Sequence, residues 1–275
     1  MIPDQAGAID YDERGSGPTL VFVPGSCSTG AAWRPLIAAL GDQFRCVTTS
    51  LPGYGGTAER RSADTTGMSR VAEAVEIVIR RAGTRVHLVG HSFGGLVATA
   101  VALRGNVALA SLTVLEAPAV MLLRGRPDDE RHYRDFRDMT DSYFTDFDNG
   151  NREAIARMID FYGGAGTFAS WPERVRSYAI DTTAINIRDW HSAFGFPLSP
   201  DVLAPIVVSS LVVWGGNSHP AAQRANALLC GSIGPATAEV IAGAAHFMIA
   251  THVAELTAIL SRHVIRAEKV RAPSP

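Results

Sequence analysis

Short runs of β-branched and aliphatic residues alternate with segments of helical periodicity along much of the chain. The runs predict six strands, at residues 19–23, 44–49, 86–89, 111–115, 210–214 and 238–241. Between the second and third strands, Val71, Val75 and Val78 recur at helical spacing with charged residues on the opposite side. Strands that alternate with helices are typical of a mostly parallel sheet covered on both faces.

Two segments depart from this rhythm. Residues 93–103 carry no charge, which predicts a helix buried on all sides. Residues 119–205 are long, charged and aromatic, and we expect an inserted, mainly helical cap there, with residues 1–118 and 206–275 as the core. Aromatic residues of this segment either pack between cap helices or line a pocket: Phe161, Tyr162, Phe168, Trp171, Trp190, Phe194 and Phe196.

Composition indicates an ordinary globular protein. Hydrophobic residues are 47% and charged residues 19% of the 275, which excludes a disordered chain. The net charge of −2 provides no field for holding nucleic acid or an anionic membrane, so we expect neither partner. The N-terminus has acids where a signal peptide needs basic and apolar residues, and no apolar run reaches about 18 residues. We therefore expect a cytoplasmic protein; its oligomeric state cannot be read from the sequence.

Residue counts exclude several cofactor chemistries. The single lysine, Lys269, lies in the tail, which argues against a Schiff base or a phosphate-binding lysine. Cys27, Cys46 and Cys230 are odd in number and lack metal-type spacing, so they predict neither a disulfide framework nor a zinc site. We expect no metal and no cofactor.

A nucleophile candidate follows the third predicted strand. Gly90-His91-Ser92-Phe93-Gly94 reads as strand, G-x-S-x-G turn and helix. A serine on so sharp a turn brings the residues two before and two after it together, where only glycine fits. The pattern predicts that Ser92 projects from the carboxyl end of its strand.

A base and oxyanion donors are available in other loops. His246, in Gly-Ala-Ala-His after the last predicted strand, is the histidine best placed to take a proton from Ser92. The loop PGSCSTG at 24–30 follows the first strand and predicts a backbone N–H donor at Ser26, with a second at Phe93. Cys27 in this loop has no histidine partner that recommends it as a nucleophile.

Together these segments resemble the α/β-hydrolase superfamily over nearly the whole chain. Besides GHSFGG at 90–95, LPGYGGT at 51–57 is similar to a family loop, and FYGGAGTFASWP at 161–172 is similar to a segment of some bacterial members. The resemblance implies the α/β-hydrolase fold, a mostly parallel central sheet with helices on both faces and an inserted helical cap. Pro24-Gly25 replaces the His-Gly pair common in the family, which removes a side chain and leaves the backbone donors.

The triad acid departs from the family pattern. Ser218 occupies the position at which most members carry the acid. Some members take the carboxylate from the end of the preceding strand, which implies Glu116, the one acid between Ser92 and His246 at the carboxyl end of a predicted core strand. A cap or flank residue such as Asp201, or a Ser-His dyad without acid, remains an alternative.

The resemblance implies a serine hydrolase of a small-molecule ester, thioester or lactone that works through an acyl-enzyme on Ser92. A perhydrolase or C–C bond hydrolase on the same triad is an alternative, as is a ligand-binding member without catalysis. Three cap arginines either recognise an acidic substrate or solvate the surface: Arg174, Arg176 and Arg188.

Overall fold

One central sheet organises the molecule. The computed structural model describes residues 1–61, 67–83 and 85–269, and within them seven strands form this sheet. The strands are β1 (Asp12–Arg14), β2 (Thr19–Val23), β3 (Arg45–Thr48), β4 (Val86–His91), β5 (Leu109–Leu115), β6 (Ser210–Gly215) and β7 (Ala236–Ile241). They lie in the order β1-β3-β2-β4-β5-β6-β7; β1 runs antiparallel to β3, and all other neighbours are parallel. The mostly parallel sheet is confirmed.

Helices connect the strands. They are α1 (Arg34–Leu40), α2 (Met68–Ala82), α3 (Phe93–Arg104), α4 (Glu130–Asp148), α5 (Ile155–Gly163), α6 (Thr167–Ser170), α7 (Glu173–Asp181), α8 (Thr183–Gly195), α9 (Pro200–Leu203), α10 (Pro220–Ser232), α11 (Met248–Thr251) and α12 (Val253–Lys269). Helices α4 to α9 all lie between β5 and β6. We call residues 119–205 the inserted segment; its division from the core at these two positions stays a prediction.

Both faces of the sheet are covered, as the sequence predicts. Successive side chains of a strand point to opposite faces. Leu20 and Phe22 of β2 belong to the apolar cluster that includes α1 and α12, whereas Val21 and Val23 belong to the cluster that includes α2 and α3. Because all four are fully buried, each contributes about 1.5–3 kcal/mol of burial free energy.

The predicted strands are all present, with ends that differ by at most two residues. The charge-free helix is also confirmed, since residues 93–101 of α3 are buried without exception. The sequence does not predict β1, whose side chains Asp12, Glu13 and Arg14 are exposed. This edge strand is held by backbone pairing with β3, so no hydrophobic pattern accompanies it.

The parallel strands bring distant loops together. Their carboxyl ends share one edge of the sheet, where ligands bind in open α/β folds. The loops after β2, β4, β5, β6 and β7 therefore meet at this edge, next to helices of the inserted segment.

Candidate active site

Ser92 stands on a sharp turn between β4 and α3. Its backbone has φ 55° and ψ −128°, a conformation that non-glycine residues rarely adopt and that costs about 1–3 kcal/mol. A Cβ on Gly90 would lie 2.3 Å from the carbonyl oxygen of Gly94, and a Cβ on Gly94 would lie 2.3 Å from that of Pro24. Backbone atoms cause both clashes, so the turn requires glycine at both positions, as the sequence predicts.

His246 lies in the loop after β7 and faces Ser92. Its Nε2 is 2.9 Å from Oγ of Ser92, and its Nδ1 is 2.9 Å from Oε1 of Glu116. Because an ionised carboxylate only accepts hydrogen bonds, Nδ1–H donates to Glu116 and Nε2 is left to accept from the Ser92 hydroxyl. The imidazole is therefore oriented as a base toward Ser92.

Glu116 follows β5 and is 1% exposed. Its backbone has φ 47°, and its N–H donates to the carbonyl oxygen of Val213 on β6 at 2.8 Å. Oε2 accepts from the N–H of Gly215 at 3.0 Å and from Oγ of Ser218 at 2.5 Å. Burial favours a raised pKa for Glu116, but His246, Gly215 and Ser218 outweigh it and lower the pKa below its ordinary value.

The structure thus brings Ser92, His246 and Glu116 into one hydrogen-bonded chain. The alternative acid Asp201 is exposed on α9, and Nδ1 of His246 is occupied by Glu116, which disfavours a dyad. Ser218, at the usual acid position, supports the carboxylate of Glu116 instead. Sequence reasoning missed this contact because it depends on β5 and β6 being neighbours.

His91 is a site residue that the sequence did not indicate. The sequence predicts that the His91 side chain points away from the site. The buried imidazole instead donates from Nε2 to the backbone carbonyl oxygen of His246 at 2.9 Å. Burial, together with the nearby His246, lowers the pKa of His91 to about 3, so the ring is neutral. This hydrogen bond holds the backbone of His246 in place. The sequence signal for His91 as a site residue was its position at the carboxyl end of β4.

The loop after β2 approaches the nucleophile closely. A Cβ on Gly25 would lie 2.9 Å from Cβ of Ser92, so glycine allows this approach. Ser26 and Phe93 both line the pocket beside Ser92, and within the described chain neither backbone N–H has a hydrogen-bond acceptor. Both amides are therefore available to a ligand, and their role as oxyanion donors stays a prediction. Burial raises the pKa of the Cys27 thiol to about 12, which leaves it protonated and unsuited as a nucleophile.

A pocket of about 460 Å³ opens beside Ser92. Its apolar wall includes Met158, Ile159, Tyr162, Trp171, Trp190 and Phe247. Three of the seven aromatic residues named above thus line the pocket, and others pack elsewhere; Phe161, for example, stacks on His219 with ring centroids 4.1 Å apart. The Tyr162 ring stacks on the imidazole of His246, also at 4.1 Å.

Charges are scarce in the pocket wall. Among the described lining residues there is no arginine or lysine. Arg176 donates to the carbonyl oxygen of Ala169, and Arg188 lies 3.7 Å from Glu59. Neither these arginines nor Arg174 line the pocket, which favours their solvating role.

Two features are absent from the described residues. These residues contain no group of three or more His, Cys, Asp or Glu side chains arranged to hold a metal ion. None of their helices combines the length and apolarity required to cross a bilayer.

Comparisons with known proteins agree with this architecture. A pimeloyl-[acyl-carrier protein] methyl ester esterase of Vibrio cholerae is 36% identical over 112 residues, which are 40% of this chain and 42% of that protein. The chain thus aligns with about two fifths of the length of such curated relatives. A hydrolase from Oleispira antarctica superposes with a TM-score of 0.75 at 17% identity, covering 92% of this chain and 93% of that one.

An esterase from Exiguobacterium antarcticum gives a TM-score of 0.73 at 18% identity, with 93% and 95% of the two chains covered. At such low identity, these structural likenesses show the fold. The family model described as alpha/beta hydrolase family matches residues 20–259. The chain therefore belongs to the alpha/beta hydrolase family.

Proposed function

We propose that this chain hydrolyses small-molecule carboxylic esters through an acyl-enzyme on Ser92, with His246 as base and Glu116 as triad acid. The observation that carries the proposal is the continuous chain of hydrogen bonds, 2.9 Å from Ser92 to His246 and 2.9 Å from His246 to Glu116. The partial similarity to curated esterases supports the same reaction class.

Acylation begins when Oγ of Ser92 attacks the ester carbonyl carbon while Nε2 of His246 accepts the hydroxyl proton. The ionised carboxylate of Glu116 stabilises the imidazolium that forms and keeps Nδ1 protonated. The imidazolium then returns the proton to the alkoxide leaving group as the C–O bond breaks. The products of this half-reaction are the free alcohol and an acyl ester on Ser92.

Deacylation repeats these steps with water as nucleophile. Nε2 of His246 accepts a proton from water, the hydroxide oxygen attacks the acyl carbon, and Ser92 leaves with the proton. The N–H groups of Ser26 and Phe93 donate to the oxyanion in both tetrahedral intermediates. Loss of one such donor costs about 3–4 kcal/mol of transition-state stabilisation. No step requires a metal or a cofactor.

The pocket supports an uncharged, apolar acyl group as substrate. Aromatic and aliphatic side chains form most of its wall, and the inserted segment would serve as a cap that excludes water from the acyl-enzyme. Thioesters and lactones have the same electrophilic carbonyl and are further candidates for the same chemistry.

A fluorophosphonate probe tests the proposal. It should label the wild-type protein covalently and should not label Ser92→Ala, which retains the fold. A panel of p-nitrophenyl esters of increasing chain length, with thioesters and lactones alongside, then identifies the preferred acyl group. A folded wild-type protein that never labels would contradict the proposal and indicate a ligand-binding member without catalysis.

A further inference from the structure

A buried carboxylate links the inserted segment to the loop that approaches Ser92. Asp189 on α8 has a side chain that is 3% exposed. Its Oδ2 accepts from Oγ of Ser26 at 2.5 Å and from the Tyr54 hydroxyl at 2.7 Å, and its Oδ1 accepts from Nη1 of Arg61 at 2.6 Å. Side chains from three separated positions of the chain thus bind one carboxyl group.

One arginine of this cluster pairs with two carboxylates. The Arg61 side chain is fully buried and is also bound by Glu59, with Nη2 at 2.9 Å from Oε2. A buried ion pair is retained only when its remaining hydrogen-bonding atoms are satisfied, and here two hydroxyl groups supply the additional donors. The cluster therefore fixes Asp189 in place, and α8 with it.

The loop that contains Ser26 needs such an anchor. Cys27, the next residue, has φ 55°, a left-handed conformation that costs about 1–3 kcal/mol in a non-glycine residue. Such a conformation persists only where surrounding contacts hold it. The hydrogen bond from Ser26 to Asp189 is one such contact, and it also directs the Ser26 hydroxyl away from a role as an oxyanion donor.

We propose that Asp189 is a positioning residue that aims the Ser26 N–H at the oxyanion by holding the Ser26 side chain. The inference rests on the proposed function, because it assigns the Ser26 amide to the oxyanion hole. Full stabilisation of the transition state then requires α8 to be packed against the core, because α8 carries Asp189. A charge-assisted hydrogen bond of this kind is strong enough to fix the amide direction.

Ser26→Ala tests this role, because it removes the bond to Asp189 and keeps the backbone N–H. We expect kcat for a p-nitrophenyl ester to fall about 10-fold or more, with KM within about twofold. Affinity for an alkyl boronic acid, which mimics the tetrahedral intermediate, should fall by a similar factor. Ser26→Thr, which retains the hydroxyl, should restore most of the loss.

Ser232→Ala is the matched control. It makes the same change on α10, where the Ser232 hydroxyl donates to the carbonyl oxygen of Leu228 at 2.7 Å and does not line the pocket, so kcat should stay within about twofold of wild type. If Ser26→Ala does not fold, Ser26→Cys provides the same comparison with a weak thiol donor. A kcat within twofold of wild type for folded Ser26→Ala, or for folded Ser26→Cys where the alanine variant does not fold, would overturn the inference, and so would an equal loss in Ser232→Ala. Failure of the wild-type protein to hydrolyse any ester or to react with the fluorophosphonate would instead count against the proposed function.

Discussion

At the scale of single residues, the position of the Glu116 carboxylate depends on two neighbouring strands. Glu116 comes from the end of β5, and the groups that hold its Oε2 come from the end of β6 and the loop after it. Since β5 and β6 are adjacent in the sheet, a carboxylate on β5 reaches the region where the resemblance expects an acid after β6. Ser218 leaves room for that carboxylate and donates to it.

Glu116→Gln should lower kcat by about 10²- to 10⁴-fold in a protein that still folds. The amide would donate to Nδ1 of His246 and select the tautomer whose Nε2–H cannot accept the Ser92 proton. Steady-state hydrolysis of a p-nitrophenyl ester measures the effect. Glu239→Gln makes the same chemical change at a surface ion pair with Arg262 and should stay within twofold of wild type. Comparable activity in the two variants would move the acid role away from Glu116.

His91 predicts a pH effect on stability. Its pKa is about 3 in the folded protein, against about 6.5 in an unfolded chain. Between these values the unfolded state binds more protons, so the free energy of unfolding contributed by His91 falls as pH decreases from about 6.5 toward 3. His91→Gln retains a donor for the His246 carbonyl oxygen and removes the titration. Its stability should depend less steeply on pH, by up to about 1.4 kcal/mol per pH unit.

Urea unfolding of both proteins between pH 4.5 and 7 measures this difference. Burial also lowers the pKa of His263, to about 4, but that residue titrates in both proteins and cancels in the comparison. Parallel stability curves for the two proteins would show that folding does not lower the pKa of His91 and would contradict this prediction.

At the scale of elements, the turn between β4 and α3 predicts an unequal response of two glycines to alanine. Gly90→Ala should destabilise the protein by about 3 kcal/mol or more, because its Cβ meets backbone atoms of Gly94 that cannot move separately. Gly231→Ala in α10 is the control: no atom lies within 4 Å of its Cβ position, and alanine there should add about 0.5–1 kcal/mol. Thermal unfolding distinguishes them, and equal changes would contradict the close approach.

The core elements were predictable because each leaves a local pattern. Buried parallel strands give apolar runs, and a tight strand-to-helix turn gives glycine at fixed spacing around Ser92. The positions of His246 and Glu116 at strand ends then followed from the resemblance and from the shared sheet edge. These inferences need only short segments and the alternation of strand and helix.

Contacts between distant segments left no comparable pattern. Asp189 follows Arg188 in a helix with polar residues, where the sequence suggests a solvated face, yet α8 turns Asp189 inward onto Ser26 and Arg61. β1 likewise carries only polar side chains, because its pairing uses backbone groups. Such features depend on how elements dock, which periodicity along a single element does not encode.

At the scale of the whole molecule, the lining of the pocket predicts selection of substrates by charge. Core loops and the inserted segment both contribute to its wall, but no cation from either lines it among the described residues. Its acidic lining residue, Asp189, is paired with Arg61. A carboxylate on the acyl group would lose its hydration here without a compensating partner, which is strongly unfavourable.

p-Nitrophenyl hexanoate and mono-p-nitrophenyl adipate form a matched pair that tests this selection. They share a six-carbon acyl chain and a leaving group, and differ by the terminal carboxylate. We expect kcat/KM for the adipate to be lower by about 100-fold or more, since an unpaired buried charge costs several kcal/mol. The methyl ester of the adipate removes the charge at nearly the same size, and it should recover most of the loss. Recovery would assign the discrimination to charge rather than to length.

Equal kcat/KM for the hexanoate and the charged adipate would require a cation at the bound acyl terminus. Arg188 on α8 is the first candidate, because it neighbours Asp189 in the chain and holds Glu59 only at 3.7 Å. Arg188→Gln would then slow the adipate selectively and leave the hexanoate unchanged. The other outcome is that the wild-type protein discriminates as expected while Arg188→Gln affects both substrates alike or neither. The apolar wall then sets the preference. In that case, longer neutral acyl chains should raise kcat/KM until the pocket is filled.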